Sequence, residues 1–278
     1  MSSKKQSLEI NLKKFDMKSI TPDSVVVMIA KRRSGKSFLV KDLLKNHKDI
    51  PIGMVISPTE EANPFYNDFM PGIFIHNKYD SDLIDNFLLR QQNACDKFRE
   101  NKISDPHAFL ILDDCMYDNK WTKDECMRYI FMNGRHKKIL FIFTMQYPLG
   151  ILPDLRTNID YIFILRETIT SNRKRLYEHY AGMFPTFDIF CQVMDSTTED
   201  YECLVIHNSA RSNKIEDQVF WYKAEEHEPF KIGAQKLWNY HQQNYDPTRD
   251  NSLINSIQQK ARKNKIIANV KKYSSNTD

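Results

Sequence analysis

The chain reads as an α/β protein: a mainly parallel sheet with helices on both faces. Three observations predict this. Apolar runs of strand length alternate with helical stretches over residues 24–222, the pattern of strand–helix–strand crossovers. A short polar loop, residues 30–37, joins one of the most apolar runs directly to a helix. A second apolar run, residues 108–112, ends in two adjacent acids, Asp113 and Asp114.

Residues 24–30 (SVVVMIA) are β-branched and nearly continuous, as in a strand buried on both faces. Residues 37–46 follow, with Phe38, Leu39, Leu43 and Leu44 spaced for one helical face. Residues 52–57 (IGMVIS) form the next strand, and 73–76 a short one. A long helix over 81–100 carries Leu83, Ile84, Phe87 and Leu88 at helical spacing. Then come the strand at 108–112, a helix over 124–133, and strands at 139–144 and 160–165. A helix over 170–180 and strands at 203–207 and 218–222 complete the pattern. No internal repeat is visible. The expected organisation is an N-terminal extension (1–20), one α/β domain (21–225) and a basic C-terminal tail (226–278), partly helical and partly without fixed structure.

Residues 30–37 read Ala-Lys-Arg-Arg-Ser-Gly-Lys-Ser, the spacing of a phosphate-binding loop, G-x-x-x-x-G-K-[ST], with alanine at the first glycine. The context matches the chemistry. A buried strand enters and a helix leaves, so backbone N–H groups of Lys31, Arg32, Arg33, Ser34 and Gly35 can wrap a phosphate at a helix N-terminus. Lys36 supplies a cation for the β- and γ-phosphates, and the Ser37 hydroxyl a ligand for Mg²⁺. Phe38 closes the nucleotide-binding stretch that begins at Ala30. Ala30 requires a backbone angle that tolerates a Cβ.

Asp113 stands 77 residues after Lys36, with a strand between, at the end of a hydrophobic strand where a carboxylate can hold Mg²⁺. Asp114, one residue on, is placed to polarise an attacking water; the plainer use of such a pair is as turn acids. The neighbouring strand ends in Thr144 and Gln146, and the Gln146 amide can touch both a γ-phosphate and the lytic water. Just before that strand, Arg135 is placed for an arginine finger reaching a neighbouring subunit's nucleotide, with Arg156 and Arg166 as rivals. Each of these arginines can equally be a surface ion-pair partner.

Composition bounds the rest. The chain's 278 residues, 41% of them hydrophobic, suffice for a full core without covalent staples. Its five cysteines include no C-x-x-C pair, so free thiols are expected rather than a zinc site or a disulfide framework. The polar start, residues 1–6, shows no signal-peptide h-region. The longest apolar run, 139–145, is too short to insert in a membrane. Net charge is only +4, but residues 231–278 hold nine Lys/Arg against three Asp/Glu. Such a tail can follow phosphates or can simply be solvated. Lys120, Lys123, Arg128, Lys137 and Lys138, with Trp121 nearby, and the stretch 260–272 are the possible contacts to a DNA backbone.

Taken together, residues 31–37, the run 110–115, Gly134-Arg135-His136 and Gln146 resemble the FtsK–HerA superfamily of P-loop (ASCE/RecA-like) NTPases. Within it, they resemble the genome-packaging ATPases of nucleocytoplasmic large DNA viruses, over roughly residues 20–210. The resemblance implies an ATPase using ATP and Mg²⁺, with Lys36, Asp114, Gln146 and Arg135 in catalytic roles. It implies a homo-oligomeric ring acting on double-stranded DNA without reading its sequence, capsid or portal-like partners, and a place in the virion or the host-cell cytoplasm. Two other classes remain open from the residues: a nucleotide or nucleoside kinase, with Arg173 and Arg175 as lid arginines, and a scaffold that binds nucleotide without turnover.

Overall fold

The computed structural model describes residues 9–115 and 120–245, with the Lys120 side chain excepted. The stretch 260–272 and the Lys120 side chain, both possible DNA contacts by sequence, lie outside the described residues, as do residues 1–6 and the tail beyond 245.

The elements in chain order are β1 (Lys13–Lys14), β2 (Val25–Ile29), α1 (Lys36–Asn46), β3 (Ile52–Ile56), β4 (Ile75–His76), α2 (Ser81–Arg99) and β5 (Ala108–Asp113). Next are α3 (Lys120–Lys123), α4 (Glu125–Asn133), β6 (Ile139–Met145), α5 (Pro153–Arg156), β7 (Tyr161–Ile164) and α6 (Thr170–Tyr180). The chain continues through α7 (Phe187–Thr197), β8 (Glu202–His207), α8 (Ile215–Gln218), β9 (Val219–Lys223) and α9 (Gln235–Asn244).

The strands form one sheet in the order β1-β9-β8-β7-β2-β6-β5-β3-β4. From β7 through β4 every neighbouring pair is parallel. β8 runs antiparallel to both β7 and β9, so the sheet is mixed, though mainly parallel. All five residues of β2 and all seven of β6 are buried, as continuous apolar strands covered on both faces require. Alternate residues divide between two cores. Val25, Val27 and Ile29 face Phe87 of α2, Ile130 of α4, Leu176 of α6 and Phe190 of α7. Val26 and Met28 face Leu39, Val40, Leu43 and Leu44 of α1. Each such fully buried side chain contributes about 1.5–3 kcal/mol by the area removed from water.

Among the features not read from the sequence, two contribute to the core. Residues within 1–20, assigned there to an extension, supply β1, which pairs in parallel with β9, and bury Phe15, Met17 and Ile20. Phe15 packs edge-on against Tyr161, Phe163, Phe220 and Tyr222. The second is α7, with Phe190, Val193 and Met194 buried. Within the span assigned to the tail, expected to be partly helical, the chain forms α9; Leu237 is buried there, and nearby Phe230 stacks on Phe69. At Gly53 the register leaves no choice of residue. It pairs with Phe109, whose ring lies 2.2 Å from where a Cβ would stand.

The site follows from the topology. β2 lies between β6, reached through β5, and β7, reached by crossing over β2 itself. The C-terminal ends of parallel strands at such a switch point form a crevice, and residues 30–37 occupy it.

Candidate functional site: a phosphate loop facing two acids

Ala30 continues β2 by donating its N–H to the Met145 carbonyl at 2.9 Å, and it is 3% exposed. The left-handed backbone of the loop falls instead on Arg33 (φ 63°) and Gly35 (φ 95°). Ala30 is not among the positive-φ residues, so its methyl is accommodated without strain. The Ser34 hydroxyl donates to the Lys31 carbonyl at 2.7 Å, folding the loop on itself. Gly35 is the N-cap of α1 and offers no side-chain cap, whereas Asp80, Asp124 and Thr186 cap α2, α4 and α7 with side-chain oxygens. The first N–H groups of α1 therefore present their partial positive charge to the crevice. Lys31 is drawn sideways. Its ammonium pairs with buried Glu167 at 2.5 Å and donates to the Thr168 hydroxyl at 3.2 Å. Arg32 and Arg33 are exposed and Ser37 is half-buried.

Lys36 is buried and its ammonium faces both acids, 3.5 Å from Asp113 Oδ1 and in direct contact with Asp114 Oδ1. Asp113 ends β5 and is held from three sides. Thr144 Oγ1 donates to its Oδ1 at 2.5 Å, Ser57 Oγ to its Oδ2 at 3.5 Å, and Lys36 stands opposite. Asp114 turns left-handed at φ 53°, a conformation that Asp adopts more readily than most residues. Its N–H donates to Thr144 Oγ1 at 3.1 Å. Gln146 Nε2 donates to Asp114 Oδ2 at 3.0 Å. Asp114, placed by the sequence to polarise a water, is clasped by Lys36 and bonded directly to Gln146.

Two atoms of this cluster, Lys36 Nζ and Asp114 Oδ1, are buried without a hydrogen bond of good geometry. Buried polar groups in that condition are costly. Phosphate oxygens between the loop and the acids would satisfy the lysine, and a water would satisfy Asp114. Among the described residues no cluster of three or more His, Cys, Asp or Glu could cage a metal. A divalent ion would therefore take the Ser37 hydroxyl and the Asp113 carboxylate, with phosphate and water completing its shell. That is how Mg²⁺ is usually held.

Sequence reasoning assigned no role to several residues around these groups. Thr144 is fully buried and joins both acids. Tyr66 is 1% exposed, and burial together with the Asp113 charge pushes its phenol well above its ordinary value. Cys115, also buried, has its thiol raised by burial and by Asp113, so it is not a nucleophile here. Its Sγ donates to the Ile56 carbonyl at 3.3 Å. All five cysteines are free thiols, as their spacing suggested.

The arginines divide by location. Arg135 precedes β6 and pairs with Asp160 at 2.6 Å, and Asp160 accepts the N–H of Val25 at the start of β2. Arg135 thus sits at the N-terminal edge of the sheet, the length of β2 (about 16 Å) from its own phosphate loop. Arg156 donates to the Ile151 carbonyl and lies over the Tyr180 ring. Arg166 is exposed and follows Leu165, whose N–H reaches the carbonyl of Ile29 beside the loop. Arg173 and Arg175 are held on α6 by Asp195 and Asn172. Among the residues considered for DNA, Trp121 is a core residue, 1% exposed and packed on Phe143. Arg128 pairs with Asp154, Lys138 with Asp23, and Lys137 lies over Tyr129. Lys123 is exposed.

No protein-family model matches the chain. It is 42% identical over 244 residues to the uncharacterized protein L437 of Acanthamoeba polyphaga mimivirus, covering 86% of each. It is 38% identical over 251 residues to the uncharacterized protein 075L of Invertebrate iridescent virus 6, covering 86% of this chain and 96% of that protein. Among solved structures, the genome packaging NTPase B204 of Sulfolobus turreted icosahedral virus 2, in complex with AMP, aligns with a TM-score of 0.54 at 16% identity. The alignment covers 74% of this chain and all of B204. The pCW3 conjugation coupling protein TcpA aligns with a TM-score of 0.51 at 11% identity, over 80% of this chain and 65% of TcpA. At these identities the structural likeness is one of fold. Among the described residues no helix is long and apolar enough to cross a membrane. The chain belongs to the family of viral proteins that includes mimivirus L437 and iridescent virus 075L, and it has the P-loop NTPase fold shared by viral genome-packaging and FtsK–HerA-type ATPases.

Proposed function

We propose that this protein is an ATPase that hydrolyses ATP to drive double-stranded DNA into a viral capsid. The observation that carries the reading is the cluster at the end of β2. A phosphate loop with a buried lysine faces two acids, and a strand-end glutamine is bonded to the second of them. Phosphate binding alone needs the loop and Lys36. Hydrolysis needs in addition a group that orients water, and Asp114 has the position and the charge for it. The fold shared with a genome packaging NTPase, and relatives in several viruses, support the packaging role.

In this reading the open N–H groups at the start of α1 and the Lys36 ammonium bind the β- and γ-phosphates. Ser37 and Asp113 hold Mg²⁺, which when bound neutralises phosphate charge. Thr144 and Ser57 fix the Asp113 carboxylate. Asp114 accepts a proton from the attacking water, and Gln146 follows its charge. A γ-phosphate drawing Lys36 away from Asp114 would leave that carboxylate to the water, so substrate binding would itself arm the base. Gln146, at the end of β6, would pass the change to the segment 147–152.

A ring of copies would place Arg135, remote from its own nucleotide, where a neighbour could use it. Of the three arginines considered as fingers, Arg166 is the one that follows a strand end beside its own phosphate loop. Lys123 remains an exposed cation for a DNA backbone, gripped without reading sequence.

The test is ATP hydrolysis with and without long double-stranded DNA, at low and moderate salt, beside Lys36→Ala. The expected result is hydrolysis that DNA stimulates, less so at higher salt, and that Lys36→Ala abolishes. Lys36-dependent hydrolysis indifferent to DNA would remove the translocase and keep the ATPase. Phosphate transfer to a nucleoside monophosphate would establish a kinase instead.

A further inference from the structure

The acids occupy one flank of the phosphate loop, where β6 and β5 lie beside β2. The other flank belongs to β7 and β8, and it carries a feature that the hydrolytic cluster does not use. The turn entering β8 closes with the Glu202 N–H on the Glu199 carbonyl at 2.7 Å. Within it, Asp200 (φ 46°) and Tyr201 (φ 64°) are both left-handed. Two successive non-glycine residues in that region are unusual, and a tyrosine there is an outlier. Core packing does not explain the arrangement, because Tyr201 is 68% exposed. The ring lies against the phosphate loop itself. Its Cδ1 is 3.2 Å from where a Cβ on Gly35 would stand.

We infer that Tyr201 is the platform on which the nucleoside base of the bound nucleotide stacks. The inference rests on the phosphate-loop reading and deepens it. The γ end of a triphosphate must lie toward Asp113, Asp114 and Gln146, so its nucleoside end leaves toward the opposite flank. There the exposed Tyr201 ring is in contact with the loop. An aromatic face stacks on any base, because every base has a π-face. Adenine and guanine nucleotides should therefore bind with affinities within a few-fold of each other.

The experiment is calorimetric binding to the full chain, with Mg²⁺, of a non-hydrolysable ATP analogue (AMPPCP), its GTP counterpart and inorganic tripolyphosphate. The proteins are wild type, Tyr201→Ala, Tyr201→Gly, Tyr201→Phe and Phe38→Ala. Tyr201→Gly removes the ring while suiting the left-handed backbone, so it guards against misfolding of the alanine variant. Loss of the ring should weaken both nucleotide analogues about tenfold or more and leave tripolyphosphate unchanged, and Tyr201→Phe should match wild type. Equal loss of nucleotide and tripolyphosphate would make Tyr201 a prop for the loop and overturn the inference. So would unchanged nucleotide affinity, or a nucleoside-specific loss in Phe38→Ala alone; Phe38, which follows the loop in sequence, is also exposed, at 61%. Wild type that binds none of the three ligands would refute the phosphate-loop reading first and this inference with it.

Discussion

Thr144→Val tests the link between the two acids. Valine has nearly the shape of threonine, and Thr144 is fully buried, so the packing is kept and only the hydroxyl is lost. Two interactions go with it. The hydrogen bond to the Asp113 carboxylate, at 2.5 Å, is charge-assisted, worth about 1.5–3 kcal/mol. The Asp114 N–H, at 3.1 Å, loses its acceptor, costing about 1–3 kcal/mol where water cannot replace it. Ser57 and Lys36 still face Asp113, and Asp114 is 19% exposed in its side chain. The lower part of the combined range, about 3 kcal/mol, is therefore expected. Urea unfolding should show a lower midpoint with unchanged slope. If the same energy is lost in the hydrolytic transition state, kcat falls about a hundredfold. Thr144→Ser should recover most of both. A valine variant with wild-type midpoint and wild-type kcat would refute the claim that this hydroxyl organises the acids.

Four further outcomes are expected. Asp114→Asn should retain ATP binding within a few-fold and lose turnover by at least a hundredfold in single-turnover assays; unchanged turnover would return Asp114 to a turn residue. Asp42 is buried on α1 and accepts from Tyr222 at 2.6 Å and from the Glu225 N–H at 3.1 Å, with His227 at 2.6 Å. Asp42→Ala leaves those donors unpaired and should cost about 3–5 kcal/mol in urea unfolding. Glu167 is partly desolvated, which raises its pKa, yet hydrogen bonds from Lys31, the Ile169 N–H and Asn172 hold it below its ordinary value of 4.5. Its stabilising contribution is then complete above about pH 4.5 and is lost as pH falls through the lower folded value. Glu167→Gln should flatten the acid limb of a stability–pH profile, and an unaltered limb would count against the Lys31–Glu167 pair. Mixing Arg135→Ala with Asp114→Asn should restore part of the hydrolysis if Arg135 acts on a neighbour's nucleotide; absence of rescue at every ratio would exclude that role.

The parts of this molecule legible in its sequence are those dictated by local rules. Buried parallel strands are continuous apolar runs, so β2, β5 and β6 stood out. The loop 30–37 declared itself because its glycine and lysine must follow one another between a strand and a helix. What escaped depends on distant partners. Lys13-Lys14 has no strand signature of its own and is a strand only because β9 offers its edge. Thr144 was visible as a polar residue in an apolar strand, yet its role depends on register, which sets Asp113 opposite it. Arg135 illustrates the converse. It precedes β6, so it had to lie at the N-terminal end of that strand, whereas the phosphate loop follows the C-terminal end of the parallel strand β2. Trp121 looked like a surface aromatic among lysines and proved to be core, since a four-residue helix gives too short a pattern to reveal its buried face.

The pairing of β1 with β9 also orders events in time. Lys13 lies beside Phe220, and the Phe15 N–H reaches the Trp221 carbonyl at 2.8 Å. Closing a flexible loop of that length costs about 5 kcal/mol by the logarithmic scaling of chain entropy. During synthesis the first strand must wait, unpaired, until residues near 221 have left the ribosome. Meanwhile the β2–β6 portion of the sheet can already form around α1. Refolding should therefore show a late phase in which the Phe15 aromatic cluster is filled. The outer edge of the sheet would complete last, after the phosphate loop has taken its shape.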